Sequence, residues 1–197
     1  KIKKRLLVSN KVSGIDTLIK KGIIRYEYED IYRYNVNSSG RYKVVNLNSM
    51  QENVVNNVNL LNHDTYLLYG VTGSGKTEVY IRAAAQAVED GKQVLMLVPE
   101  IALTAQLVKR FKAWFGDEVA VAHSKLSQNE RGDVWYKMHT HQANILIGVR
   151  SAVFAPFENL GLIIIDEEHE TSYKQDERPN YHARNVALER ARLTGAP

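Results

Sequence analysis

The run Gly70-Val71-Thr72-Gly73-Ser74-Gly75-Lys76-Thr77 constrains this chain more than any other stretch. Its spacing is G-x-x-x-x-G-K-T; it follows the apolar segment Tyr66–Tyr69 and opens a helical pattern over residues 76–90. Strand, glycine loop and helix in that order make a cradle for phosphate. The glycines let backbone N–H groups turn inward without a Cβ in the way. The helix start adds its partial positive charge. In such a cradle Gly70, Val71, Thr72, Gly73, Ser74 and Gly75 supply the backbone. Lys76 reaches the β- and γ-phosphates, and the Thr77 hydroxyl binds Mg²⁺. A glycine turn with a surface lysine is the plain alternative, and the strand–loop–helix context argues against it.

The surrounding pattern agrees. Helices fit residues 49–62, 76–90, 101–115 and 127–140. Besides Tyr66–Tyr69, short apolar strands fit Val94–Val98, Val119–Ala122, Ile145–Ile147 and Leu162–Ile165. Strands that are apolar throughout belong to a parallel sheet covered on both faces. Their alternation with helices predicts an α/β doubly wound domain, so the fold class is a P-loop NTPase lobe.

A second polar cluster stands at a strand end. Leu162–Ile165 leads into Asp166-Glu167-Glu168-His169, the edge at which an open α/β sheet binds ligand. Side chains there alternate direction, so two successive carboxylates divide the work. Asp166 holds Mg²⁺ through water, and Glu167 orients and deprotonates the attacking water. His169 either couples the γ-phosphate state to neighbouring segments or is a surface histidine. His139 and His141 are two apart and do not share a helix face, which argues against a metal site.

Charge is unevenly placed. Residues 1–46 hold 11 Lys/Arg against 4 Asp/Glu, and the remainder 15 against 18, giving the net +4. A basic N-terminal piece on a near-neutral body suggests a nucleic-acid contact; a solvated basic face is the alternative. Within it, Ser13 is placed to cap a short helix closed by Lys20-Lys21-Gly22, and Ile23–Tyr28 with Ile31–Tyr34 reads as a hairpin. This resembles the back half of a winged-helix domain; a small α+β linker subdomain is the other reading. The tyrosines at 26, 28, 32, 34 and 42 alternate with charges as on a wing touching duplex arms, or on any half-exposed hairpin. Residues 35–48 form the expected linker, so the chain divides at 46/47.

The chain has no cysteine, which excludes a disulfide framework and a thiolate metal site within it. No apolar run approaches the ~20 residues of a membrane span. The basic start precedes only Leu6-Leu7-Val8, too little for a signal peptide. A first residue that is not methionine and a Thr-Gly-Ala-Pro end suggest a piece of a longer chain.

GVTGSGKT together with DEEH resembles the signature of superfamily 2 helicases. Flanking residues narrow the resemblance. Gln51, in Leu47-Asn48-Ser49-Met50-Gln51, is similar to the adenine-reading glutamine motif. Val98-Pro99-Glu100-Ile101-Ala102-Leu103-Thr104 is similar to motif Ia. His123–Ser127, Gly148–Ala152 and Ser172–Arg184 follow in order. From about residue 47 to 197 the chain thus resembles the family of primosomal protein N′ (PriA), the replication-restart helicases.

That resemblance implies a RecA-like first helicase lobe over 47–197, truncated before motif III. It implies a 3′→5′ DNA translocase driven by ATP and Mg²⁺. Its substrates would be forked and single-stranded DNA, its partners primosome proteins and single-stranded-DNA-binding protein, and its location cytoplasmic. The family's zinc cysteines would lie outside this chain. The motif III strand of this superfamily lies between the phosphate-loop and acidic-box strands. Without it, Tyr66–Tyr69 and Leu162–Ile165 are expected to stand too far apart to pair or to collapse together, and the chain alone to hydrolyse nucleotide very slowly.

For DNA, Thr104, Arg150 and Ser151 would offer hydroxyl, guanidinium and backbone contacts to phosphates, without reading sequence. Thr104 and Ser151 are equally placed to cap helices. In the 172–184 loop, Tyr173, Tyr181 and His182 stand beside Lys174, Arg178 and Arg184. Aromatics interleaved with cations suit stacking on unpaired bases, and the loop follows Glu167 closely enough to couple DNA occupancy to hydrolysis. A mobile polar loop with packed tyrosines is the alternative. At the level of function, the alternatives are a non-helicase P-loop NTPase such as a nucleotide kinase, and an ATP-binding DNA scaffold module.

Overall fold

The computed structural model describes Thr17, Lys21 and residues 46–197 apart from 59, 61, 63 and 72. The chain divides into two compact units, Lys1–Tyr32 and Arg33–Pro197. In the first, Lys21 N donates to Thr17 O at 3.0 Å. The expected helix–hairpin of residues 13–36, the winged-helix reading built on it, and nearly all of the linker lie outside the described residues.

The second unit is a parallel sheet between two helical layers. Its strands are β1 (Gln93–Leu97), β2 (Val119–Ala122), β3 (Ile145–Gly148) and β4 (Leu160–Ile165). The order is β2-β3-β1-β4, with every pair parallel. Successive residues point to opposite faces, and each face has its own core. Leu95, Leu97, Ala120, Ala122 and Leu146 lie in one, against Val134 and Met138 of α4 (Gln128–His139) and Ala183 and Ala187 of α5 (Ala183–Thr194). Val94, Met96, Val119, Val121, Ile145, Ile147, Leu162 and Ile164 lie in the other, against Ile81, Ala84 and Ala87 of α2 (Lys76–Glu89) and Val108 and Phe111 of α3 (Ala105–Phe115). Because both faces are covered, the strands carry no polar alternation, which is what makes them legible as apolar runs.

Helix ends are fixed by side chains. Asn48 caps α1 (Ser49–Asn57) in a reciprocal box with Gln51, and Ser127 caps α4 with Glu130. The helix expected over 101–115 starts later, because Thr104 Oγ1 accepts from Leu107 N at 3.2 Å and residues before it form a turn on Pro99 O. The helix expected over 49–62 ends at Asn57, where Val58 turns extended.

One expected strand is absent from the sheet. Among the described residues Tyr66–Tyr69 forms no strand of the sheet, and Leu67 and Tyr69 are 80% and 92% exposed. The outer edge of β4 is met by Pro197, whose carbonyl accepts from Ile163 N at 3.0 Å. As expected, Tyr66–Tyr69 and β4 do not pair, and no described segment forms a strand between them. No helix among the described residues is long and apolar enough to cross a membrane.

Gln93 secures the N-terminal edge. It is wholly buried; Nε2 donates to Met138 O (2.6 Å), and Oε1 accepts from Glu158 N (2.9 Å) and Asn159 N (3.2 Å). Gln93→Leu strands these backbone groups, each worth about 1–3 kcal/mol when left unsatisfied. Chemical denaturation should show a loss of about 3 kcal/mol; a change within experimental error would contradict this reading of the edge.

Candidate nucleotide site

The phosphate loop and the acidic box meet at the C-terminal edge of the sheet. Gly73 and Gly75 have φ of 83° and 86°, in the left-handed region where a side chain is strained. Gly75 is also the N-cap of α2 and supplies no side-chain cap, so the first N–H groups of that helix have no side-chain acceptor from their cap. A Cβ on Gly75 would collide with Gln51 Nε2, and one on Gly70 would stand 2.7 Å from Ser74 Oγ. Gln51 is held from both sides: Nε2 donates to Ser74 O at 3.2 Å, while Oε1 accepts from Asn48 N at 3.0 Å. Gln51 therefore ties α1 to the loop backbone. Thr72 lies outside the described residues; Val71 is exposed, and Thr77 is the second residue of α2.

Lys76 points across the site. Its Nζ donates to Gly70 O at 2.8 Å and stands 3.3 Å from Glu167 Oε1. Two segments far apart in sequence thus share one charged contact. Asp166 extends the β4 ladder by one bond, its N–H donating to Leu97 O at 2.9 Å. Glu167 then takes φ 46°, left-handed for a residue with a side chain. Strained backbone of this kind persists where surroundings hold it. This turn, rather than the strand alternation expected from sequence, sets the different directions of the two carboxylates.

Asp166 is gripped by two tyrosines. Tyr80 Oη donates to Asp166 Oδ1 at 3.0 Å, and Tyr173 Oη donates to Asp166 O at 2.7 Å. Burial, then the charge of Asp166, pushes the pKa of both hydroxyls far above the ordinary 10.0, so both remain donors. Burial also raises the Asp166 carboxyl above its ordinary 3.8, against the opposing bond from Tyr80. Tyr80 was not among the residues singled out from sequence. The available signal was its position one helical turn after Lys76, on the same side of α2.

Around this centre, His169 Nε2 lies 3.9 Å from Glu167 Oε2 with a side chain 70% exposed, and Arg184 pairs with Glu168 at 2.9 Å. The 172–184 loop forms a small antiparallel hairpin, β5 (Lys174–Gln175) with β6 (Tyr181–His182). Tyr173 is 0% exposed and belongs to the core, which corrects the expectation that it stacks on bases. His182 caps α5, its Nδ1 accepting from Arg184 N at 3.3 Å. Tyr181 packs edge-on against Phe154, ring centroids 4.9 Å apart. Lys174 is exposed and paired with Asp176 at 2.7 Å. Arg150 donates to Lys174 O (2.5 Å) and Ser172 O (3.4 Å), while Ser151 is exposed. Thr104, also exposed, is the cap of α3.

A parallel sheet with a glycine loop and an acidic pair at one edge is the arrangement of a P-loop NTPase lobe. The family description DEAD/DEAH box helicase matches residues 48–194, and the chain belongs to that family. Within it, the chain is 47% identical over 189 residues to "Replication restart protein PriA" of Bacillus subtilis (strain 168), covering 93% of this chain and 24% of that protein. Proteins of the same name from Synechocystis sp. (46% over 188 residues; 94% and 23%) and Chlamydia pneumoniae (54% over 133 residues; 67% and 18%) are similarly related. The resemblance to the primosomal protein N′ family thus holds over most of the chain. The chain spans about a quarter of the length of these curated relatives or less.

The raised carboxyl of Asp166 yields a prediction with a definite sign. The folded state binds this proton more tightly than the unfolded state, so this group's contribution to stability falls as pH rises through and above 3.8. Asp166→Asn should therefore raise the melting temperature of the metal-free chain at neutral pH, and the gain should disappear as pH falls below the ordinary carboxyl value. Equal gains at both ends of the pH range would contradict the burial argument.

Proposed function

We propose that the full-length protein is an ATP-dependent 3′→5′ DNA helicase that acts at forked or stalled DNA and initiates replication restart in the cytoplasm. The observation that carries this is the 3.3 Å approach of Lys76 Nζ to Glu167 Oε1 at the mouth of a glycine loop. Family membership supports helicase chemistry, and the printed name of the relatives supports replication restart.

The site fits Mg·ATP on its own terms. A side chain at Gly75 is strained by its φ of 86°, the α2 N-terminus has no side-chain cap, and Lys76 and Glu167 meet there. When bound, Mg²⁺ neutralises developing charge on the transferred phosphoryl group. On this reading, backbone N–H groups of Gly70 to Lys76 hold phosphate oxygens, and Gln51 selects adenine. Lys76 leaves Gly70 O for a phosphate oxygen. Thr77 and Asp166 would hold the metal. Glu167, freed from Lys76, orients the attacking water and accepts its proton. His169, beside Glu167, reports on the occupied state.

Single-stranded DNA would cross the same edge through Thr104, Arg150, Ser151, Lys174, Tyr181, His182 and Arg184. Tyr181 is partly buried and lies on the hairpin that follows the acidic box. Residues 1–46 would be a winged-helix piece holding duplex arms, and residues 47–197 the first ATP-binding lobe. Primosome proteins and single-stranded-DNA-binding protein are the proposed partners, and the zinc site of the family lies in another part of the protein. Hydrolysis is proposed for the full-length protein, with little from these residues alone.

In full-length protein, Lys76→Ala should lower DNA-stimulated ATPase by on the order of 10²-fold or more, with fork binding retained in a gel-shift assay. Retained ATPase would overturn the assignment. Tyr181→Ala should lower DNA-stimulated hydrolysis far more than basal hydrolysis; equal losses would remove the coupling role of the loop.

A further inference from the structure

Arg150 stands on a rigid mount. Gly148 approaches Ala152 and the Ala122 carbonyl so closely that a Cβ has no room. Ala152 and Val153 are buried. From α5, Arg190 Nη1 donates to Val153 O and Ala155 O, at 2.5 and 2.9 Å, and stacks 5.1 Å from the Phe157 ring. The 3-10 turn Arg150–Phe154 is therefore fixed to β3 on one side and to α5 on the other.

From that mount the Arg150 guanidinium reaches the hairpin loop and donates to two main-chain carbonyls, Lys174 O and Ser172 O. Between these residues lies Tyr173, whose hydroxyl holds Asp166 O. Loop backbone offers few contacts of its own here: β5 and β6 are two residues each. A charge-assisted donor close to Lys174 O, with a longer contact to Ser172 O, tethers this short hairpin.

We infer that Arg150 is a positioning residue: it locks the 172–174 backbone so that Tyr173 keeps the acidic box at the end of β4 in register. Nothing in a simple phosphate contact requires those two bonds. Among the described residues, the other N–H groups of Arg150 meet no protein acceptor, so DNA phosphate and loop can be held by one guanidinium. The inference deepens the proposed DNA-coupled hydrolysis and rests on that reading for its kinetic arm.

Two measurements on full-length protein test it. In Arg150→Ala, amide hydrogen exchange across Ser172–Gln175 should quicken, and hydrolysis at saturating single-stranded DNA should fall about tenfold, while the DNA concentration for half-stimulation changes much less. Arg150→Lys, whose ammonium sits on a flexible stem and lacks the pre-organised planar guanidinium, should lie between. Unchanged exchange, or full hydrolysis at saturating DNA with only half-stimulation displaced, would overturn the proposal and leave a phosphate contact. Faster exchange with hydrolysis intact would overturn it too. If unaltered protein shows no DNA-stimulated hydrolysis, the parent reading falls, and exchange across 172–175 still decides whether Arg150 holds the loop.

Discussion

One ammonium group joins the two halves of this site. Lys76 is satisfied in the structure by Gly70 O and Glu167, both of which compete with a phosphate for the same charge. The contact is partly buried, where a pair of opposite charges is worth more than at the surface. It also holds the loop closed on itself. On the proposed reading, a bound triphosphate would exchange one set of Lys76 partners for another, so that this cation would not be buried alone.

That exchange is possible only because the sheet brings its strand ends to one edge. β1 and β4 run parallel, and the Asp166 N–H bond to Leu97 O carries their ladder past the last strand residue. The α2 helix packs on the same sheet through Ile81, Ala84 and Ala87. Its first turn and the end of β4 are thus positioned by one core. Tyr80 makes this coupling direct, since it is rooted in the phosphate-loop helix and bonded to the acidic box. Tyr173 does the same from the hairpin side.

Much of this was legible in the chain. Apolar runs marked β1 to β4 because both faces of the sheet are covered, and glycine spacing marked the loop because only glycine takes its φ values. The helix expected over 127–140 starts beside its Ser127 cap, while Thr104, weighed as a cap, starts its helix later than the expected residue 101. What failed did so for tertiary reasons. Tyr66–Tyr69 has the composition of a strand, but no described strand takes it into the sheet. Tyr173 sits in a run of aromatics and cations, and sequence cannot tell a base-stacking ring from one that fills a core. The helix α5 was hidden behind the attention given to the loop before it, although its alanines at 183 and 187 are one turn apart and face the sheet. Arg150 pointed to phosphate by its charge; its two carbonyl acceptors come from a loop that only folding brings near.

The shared pocket can be examined directly by determining the structure of the full-length protein with Mg²⁺ and a non-hydrolysable ATP analogue. The account predicts that Lys76 Nζ has moved from Gly70 O to the terminal phosphate, with Asp166 and Glu167 facing the same magnesium-bound group. A triphosphate bound elsewhere, or one in the loop with the carboxylates turned away from it, would contradict the account.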